Sequence, residues 1–110
     1  MGYLGEFEQL ILFSILQLGD DAFGVSIRES IESRTGRVVS AGSIYTTLGR
    51  LEERGLVTSR TGDPTPGRAG RPRKYYALRT EGAKALRESY AAIQAMAGDL
   101  GPLLDALAES

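Results

Sequence analysis

Between residues 22 and 79 the hydrophobic period changes once, and that change restricts the fold more than any other feature of the chain. Phe23, Ile27 and Ile31 repeat at i, i+4 and i+8, predicting a helix from about Ala22 to Arg34 that Thr35-Gly36 closes. Ser40 then offers an N-cap. Ile44, Leu48 and Leu51 form the inward stripe of a further helix over Ala41 to Arg54, and Gly55 sits where a left-handed residue ends it. Two short helices joined by Gly36 to Ser40 make a helix-turn-helix. Beyond it the period drops to two. Leu56 to Arg60 alternates as a strand does, and Arg73 to Arg79, with Tyr75, Tyr76 and Leu78, reads as its partner. Tyr75 and Tyr76 alternate in facing, so at least one is expected to pack under the hairpin. The TGDPTPGRAGRP stretch between the strands is too long and too rich in Gly and Pro for a tight turn, and is expected to be a loop. A hairpin directly after a helix-turn-helix is a winged helix.

The flanks add two helices. Leu4 to Leu18 carries apolar residues nearly all round, among them Phe7, Ile11, Phe13 and Leu16, with Gly19-Asp20-Asp21 as its stop. Such a helix must be buried on several sides, which a chain of 110 residues can hardly supply alone, so a second copy is expected. Thr80 is placed to cap the last helix. Ala83, Leu86, Tyr90, Ile93, Ala97, Leu100, Leu104 and Leu107 then recur at alternating spacings of three and four, an a/d seam of the coiled-coil kind. Gly98 and Gly101-Pro102 interrupt it, predicting a kink or break near residue 101. The expected fold is α+β but mostly helical. Residues 1–79 form a winged helix-turn-helix of three helices and two strands, and 80–110 a C-terminal dimerisation helix, packed as one compact unit. The expected dimer contacts are Phe7, Ile11, Leu86, Tyr90, Ile93, Ala97, Leu100 and Leu104.

The net charge of −1 conceals a strong asymmetry. Residues 1–33 hold one Arg against six acids, and 80–110 two cations against five acids. Residues 34–79 hold ten cations against three acids, a charge of +7 between flanks of −5 and −3. A basic middle on an acidic body is the pattern of a polyanion-binding surface. The chain has no Cys and no His, which excludes zinc fingers, disulfides, haem ligation and His- or Cys-based catalysis. Glu52-Glu53 and Asp20-Asp21 are adjacent pairs whose side chains diverge, so they do not form an acid/base pair across a cleft. No catalytic residue, metal or cofactor is expected. No apolar stretch approaches the ~20 residues of a membrane span, and a cytoplasmic protein is expected.

Opposite its apolar stripe, the third helix presents Gly42 and Thr46, flanked by Ser43, Tyr45 and Arg50. Small residues and hydroxyls admit a helix closely to the major groove. Arg50 has the reach for a phosphate or a guanine edge, and Tyr45 for a phosphate. In the hairpin, Arg68, Arg71, Arg73 and Lys74 surround Gly70 and Pro72, a slender cationic segment suited to a narrow minor groove. The competing readings are an ordinary polar helix face and a solvated loop, and with them a winged helix that serves as a protein-interaction module without sequence-specific DNA binding. Tyr90 and Met96, on or beside the C-terminal seam, have two uses open: a small-molecule effector pocket between subunits, or plain dimer core, which is the commoner use of such a stripe.

Three segments, GEFEQLILFSILQLGDDAFGVSIRESI, SAGSIYTTLGRLEERGLV and GRPRKYYALRTEGAKAL, resemble the PadR family of bacterial transcriptional regulators over residues 4–87. The resemblance implies a homodimeric winged-helix repressor bound to an inverted repeat of double-stranded DNA. In it the recognition-helix role falls on Ser40, Ser43, Tyr45, Thr46 and Arg50, and the wing role on Arg71, Arg73 and Lys74. The short C-terminal region is similar to that of the smaller members.

Overall fold

The computed structural model describes residues 3–64 and 72–110. Its elements follow the chain as α1 (Glu6–Leu18), a 3-10 turn (Gly19–Asp21), α2 (Gly24–Thr35), α3 (Ala41–Glu53), β1 (Val57–Pro64), β2 (Pro72–Leu78), α4 (Thr80–Ala97) and α5 (Gly101–Ala108). This is the winged-helix order. Among the described residues, no helix is long and apolar enough to cross a membrane.

The central helix is α1, which packs on α2, α3, α4 and β2. Ile11, Leu12 and Ile15 are sealed beneath these neighbours, together with Ile27, Ile44, Leu48, Leu51 and Val57 from the elements around them. Each such side chain contributes about 1.5–3 kcal/mol by leaving water. The apolar character of α1 is thus used mostly within one chain, and Leu16 is its large apolar side chain left well exposed. The same packing places two of the expected dimer contacts. Ile11 and Leu86 belong to the chain's own core, and Leu86 also lines a hollow between α1 and α4. A third, Phe7, packs against that core and lines the hollow beside the start of α3.

Local signals set the helix ends. Ser40 Oγ accepts from the Ser43 amide at 3.0 Å, satisfying one free donor of α3's first turn. After α3, Gly55 takes φ +75°, and the chain turns sharply into β1. Arg79, one residue earlier than expected, is the N-cap of α4.

The wing is longer than the sequence suggests. Val57 lies opposite Leu78 and Thr61 opposite Lys74, and after a register shift Pro64 lies opposite Pro72. Thr61 to Pro64, assigned above to the loop, therefore belong to β1: pairing across the hairpin outweighs the Gly and Pro signals. The rest of that loop, 65–71, lies outside the described residues. At the other edge the Tyr76 amide donates to the Ala22 carbonyl at 2.8 Å, and Phe23 forms a bridge with Tyr75. The entry to α2 is thereby stitched to the wing.

The seam at the C-terminus is not continuous. Gly98 adopts φ +49°, α4 ends at Ala97, and α5 begins at Gly101, so the break falls at 98–100, slightly ahead of the expected kink. Leu100 sits between the helices rather than within one stripe, and α5 contains no buried residue.

Candidate nucleic-acid interface

Helix α3 separates its two sides completely. Ile44, Leu48 and Leu51 are fully buried, and Thr47 joins them, while Gly42, Ser43, Tyr45, Thr46 and Arg50 face out. An open hollow of about 710 Å³ runs along the start of this outer side, lined by Arg37, Val38, Ser40, Gly42, Ser43, Thr46 and Arg50 among others. Gly42 and Ser43, in the first turn of α3 where the helix dipole is positive, line it. Ser40 and Ser43 share a hydrogen bond at 2.8 Å, so either hydroxyl is oriented by the other. Cations, hydroxyls and small residues together suit a polyanion with grooved relief.

Tyr45 leans from α3 over the first residue of α2. A Cβ on Gly24 would collide with the phenol ring and its hydroxyl, so glycine is what permits this approach. Beside it lies a smaller cleft of about 210 Å³ lined by Phe23, Gly24, Tyr45, Arg73 and Lys74. Arg73 does not extend freely from the wing. Its guanidinium stacks over Phe23, 4.2 Å from the ring centroid, and Phe23 meets Tyr75 edge-on at 5.6 Å. Arg60 covers the other ring of this pile, 4.5 Å from Tyr75. Cation–π contacts of this kind hold a guanidinium in place without neutralising it. Arg73 Nε is buried and has no hydrogen-bond partner among the described residues. Tyr76 packs underneath, and burial pushes its phenol above the ordinary range.

The sequence reading singled out the cations and missed what holds them. Lys74 Nζ lies 3.4 Å from Glu52 Oε1 at the C-terminal end of α3, and the Ser59 hydroxyl donates to Glu52 Oε2 at 2.5 Å. One carboxylate therefore ties α3 to both strands of the wing. The Ser59 hydrogen bond, with the Lys74 charge behind it, holds the Glu52 carboxyl below the usual range. Arg54 pairs with Glu8 at 2.9 Å, and Arg37 with Glu6 at 2.6 Å. Arg37 and Val38 were overlooked because a linker has no periodicity to mark them; only the excess of positive charge pointed there. Of the remaining wing cations, Arg68 and Arg71 lie outside the described residues.

The face opposite in character is apolar. Leu16, Tyr90, Ile93, Met96, Leu100, Leu103, Leu104 and Leu107 are all exposed, and Ala97 with them. Phe13 meets Tyr90 edge-on at 5.4 Å, at the border of a hollow of about 250 Å³ between α1 and α4.

A helix-turn-helix whose outer helix is exposed beside a two-stranded cationic wing defines a winged-helix protein. The chain belongs to the Transcriptional regulator PadR-like family, whose pattern matches residues 12–88. Among solved structures it is similar to a PadR family transcriptional regulator from Eggerthella lenta, with 30% identity over 90% of this chain and 86% of that one, at a TM-score of 0.65. It is also similar to a PadR-like transcriptional regulator from Bacillus cereus, with 26% identity over 89% of this chain and 90% of that one, at a TM-score of 0.70. A PadR family transcription regulator from Clostridium difficile shares the fold at a TM-score of 0.74 with 24% identity, over 91% of this chain and 99% of that one. No curated protein sequence matches the chain.

Proposed function

We propose that this PadR-like regulator is a cytoplasmic, homodimeric repressor that binds an inverted-repeat operator through α3 and the wing. The observation that carries the reading is the division of α3, with its stripe wholly buried and Ser43, Tyr45, Thr46 and Arg50 exposed along one open hollow. That division gives a rigid support and a readable surface, the two requirements of a groove-reading helix. Thr46 and Arg50 take the base edges, and Tyr45, Arg73 and Lys74 the phosphates. Arg68 and Arg71 take the minor groove.

The apolar surface of α4 and α5 supports the dimer. Ile93 and Leu104 are each 62% exposed and Met96 83%, in a run too extensive for a soluble face without a partner. A second copy covers it, and its two-fold symmetry matches an inverted repeat. The small hollow lined by Phe13, Leu16, Leu86 and Tyr90 lies at the edge of this face. It is smaller than a usual ligand cavity, and a second copy would enlarge it into a place for a small-molecule effector.

A salt titration on a fixed duplex tests the core of the reading. With about four phosphates neutralised by each subunit, log K should fall against log salt with a slope of roughly −7. A slope near −2, or no binding at low salt, rejects a dimeric DNA-binding protein and favours the interaction module.

A further inference from the structure

Three cations around α3 are paired with carboxylates, and the pairs are not alike. Glu8 is committed twice, since its Oε1 accepts from the Gly5 amide at the start of α1 while its Oε2 holds Arg54. That pair is part of the frame. Glu6 has the Arg37 guanidinium as its one side-chain partner among the described residues, and both side chains are open to solvent, at 78% and 46%. Arg37 also lines the hollow in front of α3 with Ser40, Ser43 and Arg50. At the other end of α3, Glu52 holds Lys74, whose ammonium is likewise exposed. So a carboxylate oxyanion already lies against Arg37 on the side where α3 starts, and another against Lys74 at the root of the wing.

We propose that Arg37 is a further phosphate-contacting residue, and that Glu6 and Glu52 occupy Arg37 and Lys74 in the free protein as internal stand-ins for phosphate. Binding then exchanges carboxylate for phosphate at both cations. An exposed pair is worth about 0.2–1 kcal/mol, whereas a phosphate on a duplex brings a charge-assisted, bidentate acceptor within an array of like charges. The exchange goes forward, at a reduced gain. Glu6 and Glu52 thus lower affinity for any duplex while keeping both cations aimed at the interface. Of the two, Glu52 keeps its hydrogen bond to Ser59 after the exchange, so the wing stays attached to α3.

This inference rests on the DNA-binding reading, and a double-mutant cycle separates the two. Affinity for a 30-base-pair duplex of random sequence is measured across a salt series for wild type, Glu6→Gln, Arg37→Ala and the double variant, with Glu29→Gln as a control for net charge alone. Glu6→Gln should bind about two- to fivefold more tightly, the equivalent of one exposed pair, with a steeper salt slope. Arg37→Ala should bind more weakly with a shallower slope, and in its background Glu6→Gln should lose its gain. Glu29→Gln should leave affinity near that of wild type. Glu52→Gln, which keeps an acceptor for Ser59, should reproduce the gain of Glu6→Gln. The proposal is overturned if wild type binds and Glu6→Gln does not bind more tightly, or if the gain persists without Arg37. Failure of wild type to bind any duplex overturns the DNA-binding reading itself, and this proposal with it.

Discussion

Replacing Gly82 by Ala adds one methyl group to a helix, a change that normally stabilises, yet here it should destabilise the protein. Gly82 lies in the first turn of α4, packed on the backbone where α3 passes into β1. A Cβ there would stand 3.0 Å from the Leu56 carbonyl carbon and closer still to its oxygen. That oxygen is in use, accepting from the Arg79 amide at 2.9 Å in the joint that joins β2 to α4. No flexible side chain can yield, so the helix start must move away as a unit. Overpacking of this kind costs about 1–3 kcal/mol, and loss of the Arg79 bond about 1 more. Better helix propensity returns about 1 kcal/mol. The balance is about 1–3 kcal/mol of lost stability, or a fall in melting temperature on the order of 5–20 °C for a chain of this size. Gly49, in the middle of α3, is the matched control. It is helical, and a Cβ there meets nothing within 4 Å. Gly49→Ala should therefore gain about 0.5–1 kcal/mol. Thermal melts of both variants at one protein concentration decide the matter, the fixed concentration being needed because the melting of any self-associating chain depends on it. If Gly82→Ala melts at or above wild type, the close approach of α4 to Leu56 is wrong. If Gly49→Ala melts well below, the space beside α3 is wrong.

Glu replacing both Ile93 and Leu100 should yield a folded monomer by sedimentation, because both side chains are exposed in the single chain; a folded dimer would reject this face as the interface. Thr46→Ala or Arg50→Ala should reduce discrimination between operator and random duplex by about 1–3 kcal/mol, whereas Lys74→Ala should weaken both alike; an unchanged ratio for Arg50→Ala refutes its role as a base reader. Glu52 has a folded-state pKa below its ordinary 4.5, so its stabilising contribution is complete above that value and is lost as pH falls through the lower one. Glu52→Gln should flatten that part of the acid limb in a melting-temperature profile from about pH 5 downward; an unaltered limb would mean that its bonds to Ser59 and Lys74 add no stability.

The parts legible in the sequence were those whose causes are local. The cap at Ser40, the stripe of Ile44, Leu48 and Leu51 and the left-handed Gly55 lie within sixteen residues, and together they fix α3 and its outward side. The strands were legible as elements but not in length, since Thr61 is held by Lys74 across the hairpin, against the preferences of its Gly and Pro neighbours. Two break signals competed at the end of the seam, and Gly98, with its positive φ, acts before Gly101-Pro102 can. Apolar periodicity marks that Ile11 is buried but not by which chain. Least legible were the carboxylates. Glu6 and Arg37 are separated by 31 positions and Glu8 and Arg54 by 46, and no pattern in one dimension couples such residues.

The single-residue joint at Arg79 has a mechanical consequence. Wing and α4 are separated by that residue alone, Leu56 clamps the first turn of α4, and Ser89 Oγ further along accepts from the Leu4 amide at 2.9 Å in the interior. The first half of α4 is therefore welded to the body, and Gly98, with its positive φ, is the first place beyond it where the chain bends. At 1.5 Å per residue α4 is a lever arm of about 27 Å. Swinging its far end against a second subunit by about 5° displaces the other end by about 2 Å, carrying α3 and the wing along undeformed. In a paired molecule, a wedge at the seam would thus alter the span between the two α3 helices while leaving the shape of each intact.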